Sequence, residues 1–81
     1  MSTGIAKSSL TPSILGLYAT ILRLHRSLPA DMRSLGDTYV KDEFRRHRTA
    51  PPEYIQGFEA MWANYRDALR TQISSQGLEH P

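Results

Sequence analysis

The chain has 81 residues, ten of them Lys or Arg and eight Asp or Glu, for a formal net charge of +2. That length permits one small domain, whose core rarely supplies more than ~3–5 kcal/mol. No cysteine is present, which excludes disulfides and thiolate metal sites, and no apolar run approaches the ~20 residues of a membrane span.

The charge is unevenly spread. Residues 1–48 carry eight basic and four acidic side chains, whereas residues 49–81 carry two and four. No acid occurs before Asp31. A basic first half favours an acidic partner, whether protein, anionic lipid or nucleic acid. Residues 1–11 are mostly small or hydroxylated, with one Lys and no Arg. They read as a flexible N-terminal tail rather than as an Arg-rich targeting helix.

A first helix is expected from about Pro12 to Ser27. Thr11 suits the N-cap, and Pro12 suits the first helical position, where a missing N–H costs nothing. Leu10 and Leu15 stand where a hydrophobic staple would close around that cap. Pro29 disfavours helical geometry at Leu28 and so ends the helix. Ile14, Leu17, Tyr18, Ile21, Leu24 and Leu28 fall on one face at helical spacing, with His25 in the same stripe.

Gly36 reads as a stop or hinge, and Asp37 as the N-cap of a second helix over about Thr38 to Arg48. A helix that starts near Pro29 and runs through Gly36 is the alternative. Val40, Phe44 and His47 share one face. The run Thr49-Ala50-Pro51-Pro52 breaks the chain, and a third helix follows from about Pro52 to Ile73. Ile55, Phe58, Trp62, Tyr65 and Leu69 recur at alternating spacings of three and four, which makes a bundle seam. The expected fold is all-α, a small antiparallel three-helix bundle over residues 12–74 with a flexible tail at 75–81.

No catalytic or metal-binding constellation stands out. His25, His47 and His80 lack paired ligand spacing. His25 reads as a partly buried polar group satisfied by a neighbour, and His47 as a surface residue at a helix end. Asp42 and Glu43 are adjacent and point in different directions, so they do not form an acid–base pair. There is no glycine loop to cradle phosphate. The reading is a non-enzyme with no cofactor. The basic residues offer a surface instead. Lys41, Arg45 and Arg48 form one stripe at i, i+4 and i+7, with Arg46 adjoining. On the first helix Arg23 and Arg26 share a face, beside Leu15, Ala19 and Leu22. A basic second helix among three short helices also resembles a DNA-reading helix-turn-helix. Asp42 and Glu43 interrupt its basic face and the overall charge is mild, so no nucleic-acid partner is expected.

Two stretches go further: Leu17-Tyr-Ala-Thr-Ile-Leu-Arg-Leu-His-Arg-Ser-Leu-Pro29 and Leu35-Gly-Asp-Thr-Tyr-Val-Lys-Asp-Glu-Phe-Arg-Arg-His-Arg48. Together they resemble the LYR-motif family of small helical mitochondrial proteins, and Pro52, Phe58, Trp62 and Tyr65 continue the likeness. Leu17 and Tyr18 match the first two residues of the naming triplet, and Phe44 matches its downstream phenylalanine. Ala19 stands where the family has a basic residue, and the family pattern extends past the third helix. The resemblance implies a non-catalytic protein of the mitochondrial matrix that serves assembly of iron–sulfur and respiratory-chain proteins. Its nearest branch implies a chaperone for the iron–sulfur subunit of succinate dehydrogenase. Several members also bind acyl carrier protein, whose acyl-phosphopantetheine arm enters the bundle. The implied partner-binding residues are Leu17, Tyr18, Arg23, Arg26, Lys41, Phe44, Arg45, Arg46 and Arg48, with Tyr18 and Phe44 shaping the bundle and any acyl tunnel.

Overall fold

The computed structural model describes residues 8–78. Three α-helices follow in order, α1 (Pro12–His25), α2 (Ala30–Arg46) and α3 (Pro52–Ser75), with a 3-10 turn at His47–Thr49 before α3. Cross-helix contacts fix their directions. Tyr18 meets Phe44 and His25 meets Asp37, so α1 and α2 run antiparallel. Tyr39 meets Trp62 and Phe44 meets Phe58, so α2 and α3 do too. The architecture is the expected up-down-up bundle.

The α1 boundaries follow local chemistry. The Thr11 side chain accepts a hydrogen bond from the Ile14 N–H at 3.2 Å, and Pro12 stands in the first turn. The helix ends at His25, two residues earlier than the proline alone implies, in a turn where the N–H groups of Arg26, Ser27 and Leu28 bond back to Arg23, Leu24 and His25. At the far end of α3, Gly77 adopts a φ of 66°. That left-handed residue lets the Leu78 N–H close on the Ile73 carbonyl at 2.9 Å, the motif that satisfies orphan carbonyls at a helix end.

The second helix differs from the leading expectation. It starts at Ala30, after Pro29, and passes through Gly36 without a break. Asp37 is therefore not an N-cap. Its half-buried carboxylate instead turns toward α1 and accepts from His25. The first helical residues of α2 have no side-chain cap; Pro29 precedes them, and Asp31 supplies an acid in the first turn.

The core comprises Leu10, Ile14, Leu17, Ile21, Val40, Phe44, Ile55, Phe58 and Trp62. Burial of each such side chain contributes about 1.5–3 kcal/mol. Phe44 is the hub, with ring centroids 4.9 Å from Tyr18, 4.8 Å from Phe58 and 5.5 Å from Trp62. Of the expected tail 1–11, residues 1–7 lie outside the described residues, while Ser9 and Leu10 are held in place. Leu10 is buried, and the Ser9 N–H donates to the Arg48 carbonyl at 2.6 Å. Of the expected tail 75–81, Ser75 belongs to α3, and residues 79–81, with His80, lie outside the described residues.

Candidate docking surface

Five of the residues singled out in the sequence come together. Tyr18 from α1 and Lys41, Phe44, Arg45 and Arg48 from α2 and the turn after it line one depression of about 290 Å³, completed by Leu10 and Leu15. Helical repeat explains the α2 side, since Lys41, Phe44 and Arg45 lie on adjacent turns of one face. The floor is aromatic: Tyr18 packs on Phe44 at an interplanar angle of 41°. The rim is cationic, with Lys41, Arg45 and Arg48 exposed and no carboxylate among the lining residues. Arg45 also meets Asp42 at 3.3 Å across the helix surface. Exposed pairs of that kind hold a side chain weakly, by about 0.3–0.5 kcal/mol on a helix, so Arg45 is available to a stronger acidic partner.

The other candidates fall elsewhere. Leu17 is buried in the core. Arg46 is exposed on another side of α2 and meets Glu43 at 3.7 Å. Arg23 is exposed, and Arg26 caps the end of α1, about 12 Å along the helix axis from Tyr18. Neither lines the depression. Sequence reasoning missed Leu10 as part of this surface, although its place opposite Leu15 across the Thr11 cap was the available signal. The segment before α1 is tied to the link between α2 and α3 by the Ser9 hydroxyl, which donates to the Ala50 carbonyl. That tie brings Leu10 to the depression.

At the other end of the bundle lies a polar constellation that no spacing rule predicted. His25 is fully buried. Its Nδ1 is 2.8 Å from Asp37 Oδ1 and its Nε2 is 2.7 Å from the Tyr65 hydroxyl. A carboxylate only accepts, so Nδ1 carries the proton; in the neutral ring Nε2 then accepts from the Tyr65 O–H. Arg33 approaches the second carboxylate oxygen at 3.8 Å. One imidazole thus joins α1, α2 and α3. Burial, reinforced by Tyr39 and Asp37, pushes the Tyr65 hydroxyl above the ordinary phenol range. Beside this triad a second groove, of about 530 Å³, runs between α2 and α3, lined by Leu28, Met32, Leu35, Tyr39, Tyr65 and Leu69 among others.

His47 also departs from its expected surface role. It ends α2 but is half-buried, stacked on Phe58 at 4.0 Å, with its Nδ1 donating to the Glu43 carbonyl at 2.8 Å. Among the described residues no group of three His, Asp or Glu side chains could hold a metal ion, and no helix is long and apolar enough to cross a membrane.

The family model for Complex1_LYR-like proteins matches residues 14–80. The chain belongs to the Complex1_LYR-like family. The match takes in α1 from Ile14 onward, all of α2 and α3, and every residue lining the depression except Leu10. Among similar proteins, the mitochondrial succinate dehydrogenase assembly factor 3 of Danio rerio is 58% identical over 57 residues, covering 70% of this chain and 46% of the relative. The protein of the same name from Drosophila melanogaster is 52% identical over 61 residues, covering 75% and 51%. That from Schizosaccharomyces pombe is 50% identical over 68 residues, covering 82% and 58%. This LYR-like chain therefore spans about half the length of the curated relatives it matches. No solved structure matches it.

Proposed function

We propose that this chain is a non-catalytic assembly factor for mitochondrial succinate dehydrogenase. It acts in the matrix as a chaperone that binds the iron–sulfur subunit and promotes its maturation. Relatives from animals and fungi that carry the assembly-factor name support the reading. The observation that carries it is the depression, with an aromatic floor of Tyr18 and Phe44 beneath a rim of Lys41, Arg45 and Arg48. Such a surface receives an apolar side chain below and acidic groups above, the arrangement of a buried anchor within a polar rim. No bond is made or broken in that role.

The test is the double variant Arg45→Glu, Arg48→Glu. Both side chains are exposed, so stability should move by only about 0.5 kcal/mol. Binding to the purified iron–sulfur subunit should fall at least about tenfold, and binding by the parent chain should weaken with salt. Undiminished binding in the double variant refutes the assignment of the surface.

The same depression favours a second reading, a permanent LYR-type accessory subunit of a respiratory complex that docks acyl carrier protein. An acidic helix fits the rim, and the acyl-phosphopantetheine arm would follow the aromatic floor inward. That reading requires one copy of the chain to remain with a large membrane complex through detergent and salt. Recovery only in small complexes with the free iron–sulfur subunit decides for the chaperone.

A further inference from the structure

From Ala30 to Tyr39 every residue of α2 is exposed except Gly36 and Asp37, which are half-buried. The side chains that α2 buries are Val40 and Phe44, both in its second half. Hydrophobic burial thus holds α2 to the bundle from Val40 onward and contributes little before it. Upstream of the Tyr39–Trp62 ring contact, the first half is held by a polar contact. Asp37 accepts from His25 Nδ1 at 2.8 Å. Gly36 permits the approach, since a Cβ at that position would lie 2.9 Å from His25 Cε1. The His25 ring is itself fixed from α3, by the Tyr65 hydroxyl at 2.7 Å. Beneath this half of α2 lies the apolar wall of the larger groove, formed by Leu28, Tyr65 and Leu69.

We propose that residues 30–39 of α2 are a lid, latched by the Asp37–His25 hydrogen bond. Its opening uncovers the inner wall of the groove while the rest of the bundle stays folded. The lid lies between two fixed points. Its upstream end joins the turn that closes α1, and its downstream end meets Val40, the first buried residue of the helix. Opening is local unfolding between those points, and segments with few buried apolar contacts are the ones that open in this way. Gly36 assists, because glycine inside a helix costs stability relative to alanine. The device does not depend on which partner uses the depression at the other end of the bundle. Tyr39, at the lid's downstream end, packs at 5.5 Å on Trp62, the chain's single tryptophan. Indole fluorescence therefore reports on the lid.

Native-state hydrogen exchange of the full chain in increasing, sub-denaturing urea is the deciding experiment. The amides of residues 33–39 should share one opening. Its urea dependence should be shallower than that of α1 and α3, because it exposes less surface. In Asp37→Ala their exchange should accelerate at least about tenfold, with Trp62 more accessible to a quencher and amides 14–21 and 58–69 unchanged. Alanine is the better helix former, so helix propensity would act against that result. Asp37→Asn keeps an acceptor for the Nδ1–H and should restore most of the protection. The proposal is overturned if residues 33–39 in the parent chain exchange only by global unfolding, or if Asp37→Ala leaves them as protected as before. Should Asp37→Ala fail to fold, the urea dependence of the parent chain decides alone.

Discussion

His25 shows how one residue can carry several roles that its sequence position only hints at. It stands in the apolar stripe of α1, and a polar group there must be satisfied or it costs about 1–3 kcal/mol. Its partners come from 12 and 40 residues away, so no local pattern names them. Tyr65 supplies a measurable consequence. Burial, then the nearby Tyr39 and Asp37, raise its hydroxyl above the ordinary phenol range. The folded state thus holds this proton more tightly than the unfolded chain. Its contribution to stability is fully present below the unfolded value and declines as pH rises through the folded one. Melting curves of the parent and Tyr65→Phe compared at about pH 8 and about pH 11 should show the parent's advantage shrinking at the higher pH. A gap that stays constant would mean that the folded and unfolded chains hold this proton equally.

At the scale of the element, α2 is the informative helix. Gly36 and Asp37 look locally like a stop followed by a cap, yet the helix runs through both. Tertiary contact reverses the reading: the glycine admits an imidazole, and the carboxylate bonds it. Gly36→Ala separates the two accounts. Helix propensity alone predicts a gain of about 1 kcal/mol. A Cβ only 2.9 Å from a buried ring that two hydrogen bonds hold in place predicts a larger loss from overpacking. The net effect should be destabilisation by about 1–2 kcal/mol in urea titration. A more stable variant would show that the close approach relaxes freely. α1 and α3 carry no such reversal: the Thr11 cap and the prolines at their first turns set their starts as expected, and their ends differ from the expected ones by only two residues.

The whole molecule has two unlike faces on one small core. The depression between α1 and the end of α2 is aromatic beneath cations, and the groove between α2 and α3 is apolar. Phe44 serves both stability and surface, since it joins all three helices and floors the depression. Phe44→Ala should cost about 3–5 kcal/mol, as much as a core of this size supplies in total. The isolated variant should therefore lose most of its helical circular dichroism at room temperature. A variant that melts cooperatively near the parent would place the hub elsewhere. A bound partner adds stability by mass action, so the parent chain should melt at a higher temperature in complex than alone.

The local sequence carries the all-α class, three helices, the seam through Ile55, Phe58, Trp62, Tyr65 and Leu69, and the Thr11 cap. Each rests on contacts within a few residues or on a repeat of 3.6, and both are written locally. It also determined the stripe Lys41, Arg45 and Arg48, because a helix alone puts them on one side. Long-range packing settled that Tyr18 meets that stripe while Arg23, Arg26 and Arg46 do not, since this depends on how α1 packs against α2. It decided equally that Leu10 closes the depression, that α2 continues through Gly36, and that His25, Asp37 and Tyr65 meet. Those outcomes arise from side chains far apart in the chain competing for the same buried space and hydrogen bonds, and helical spacing carries no record of that competition.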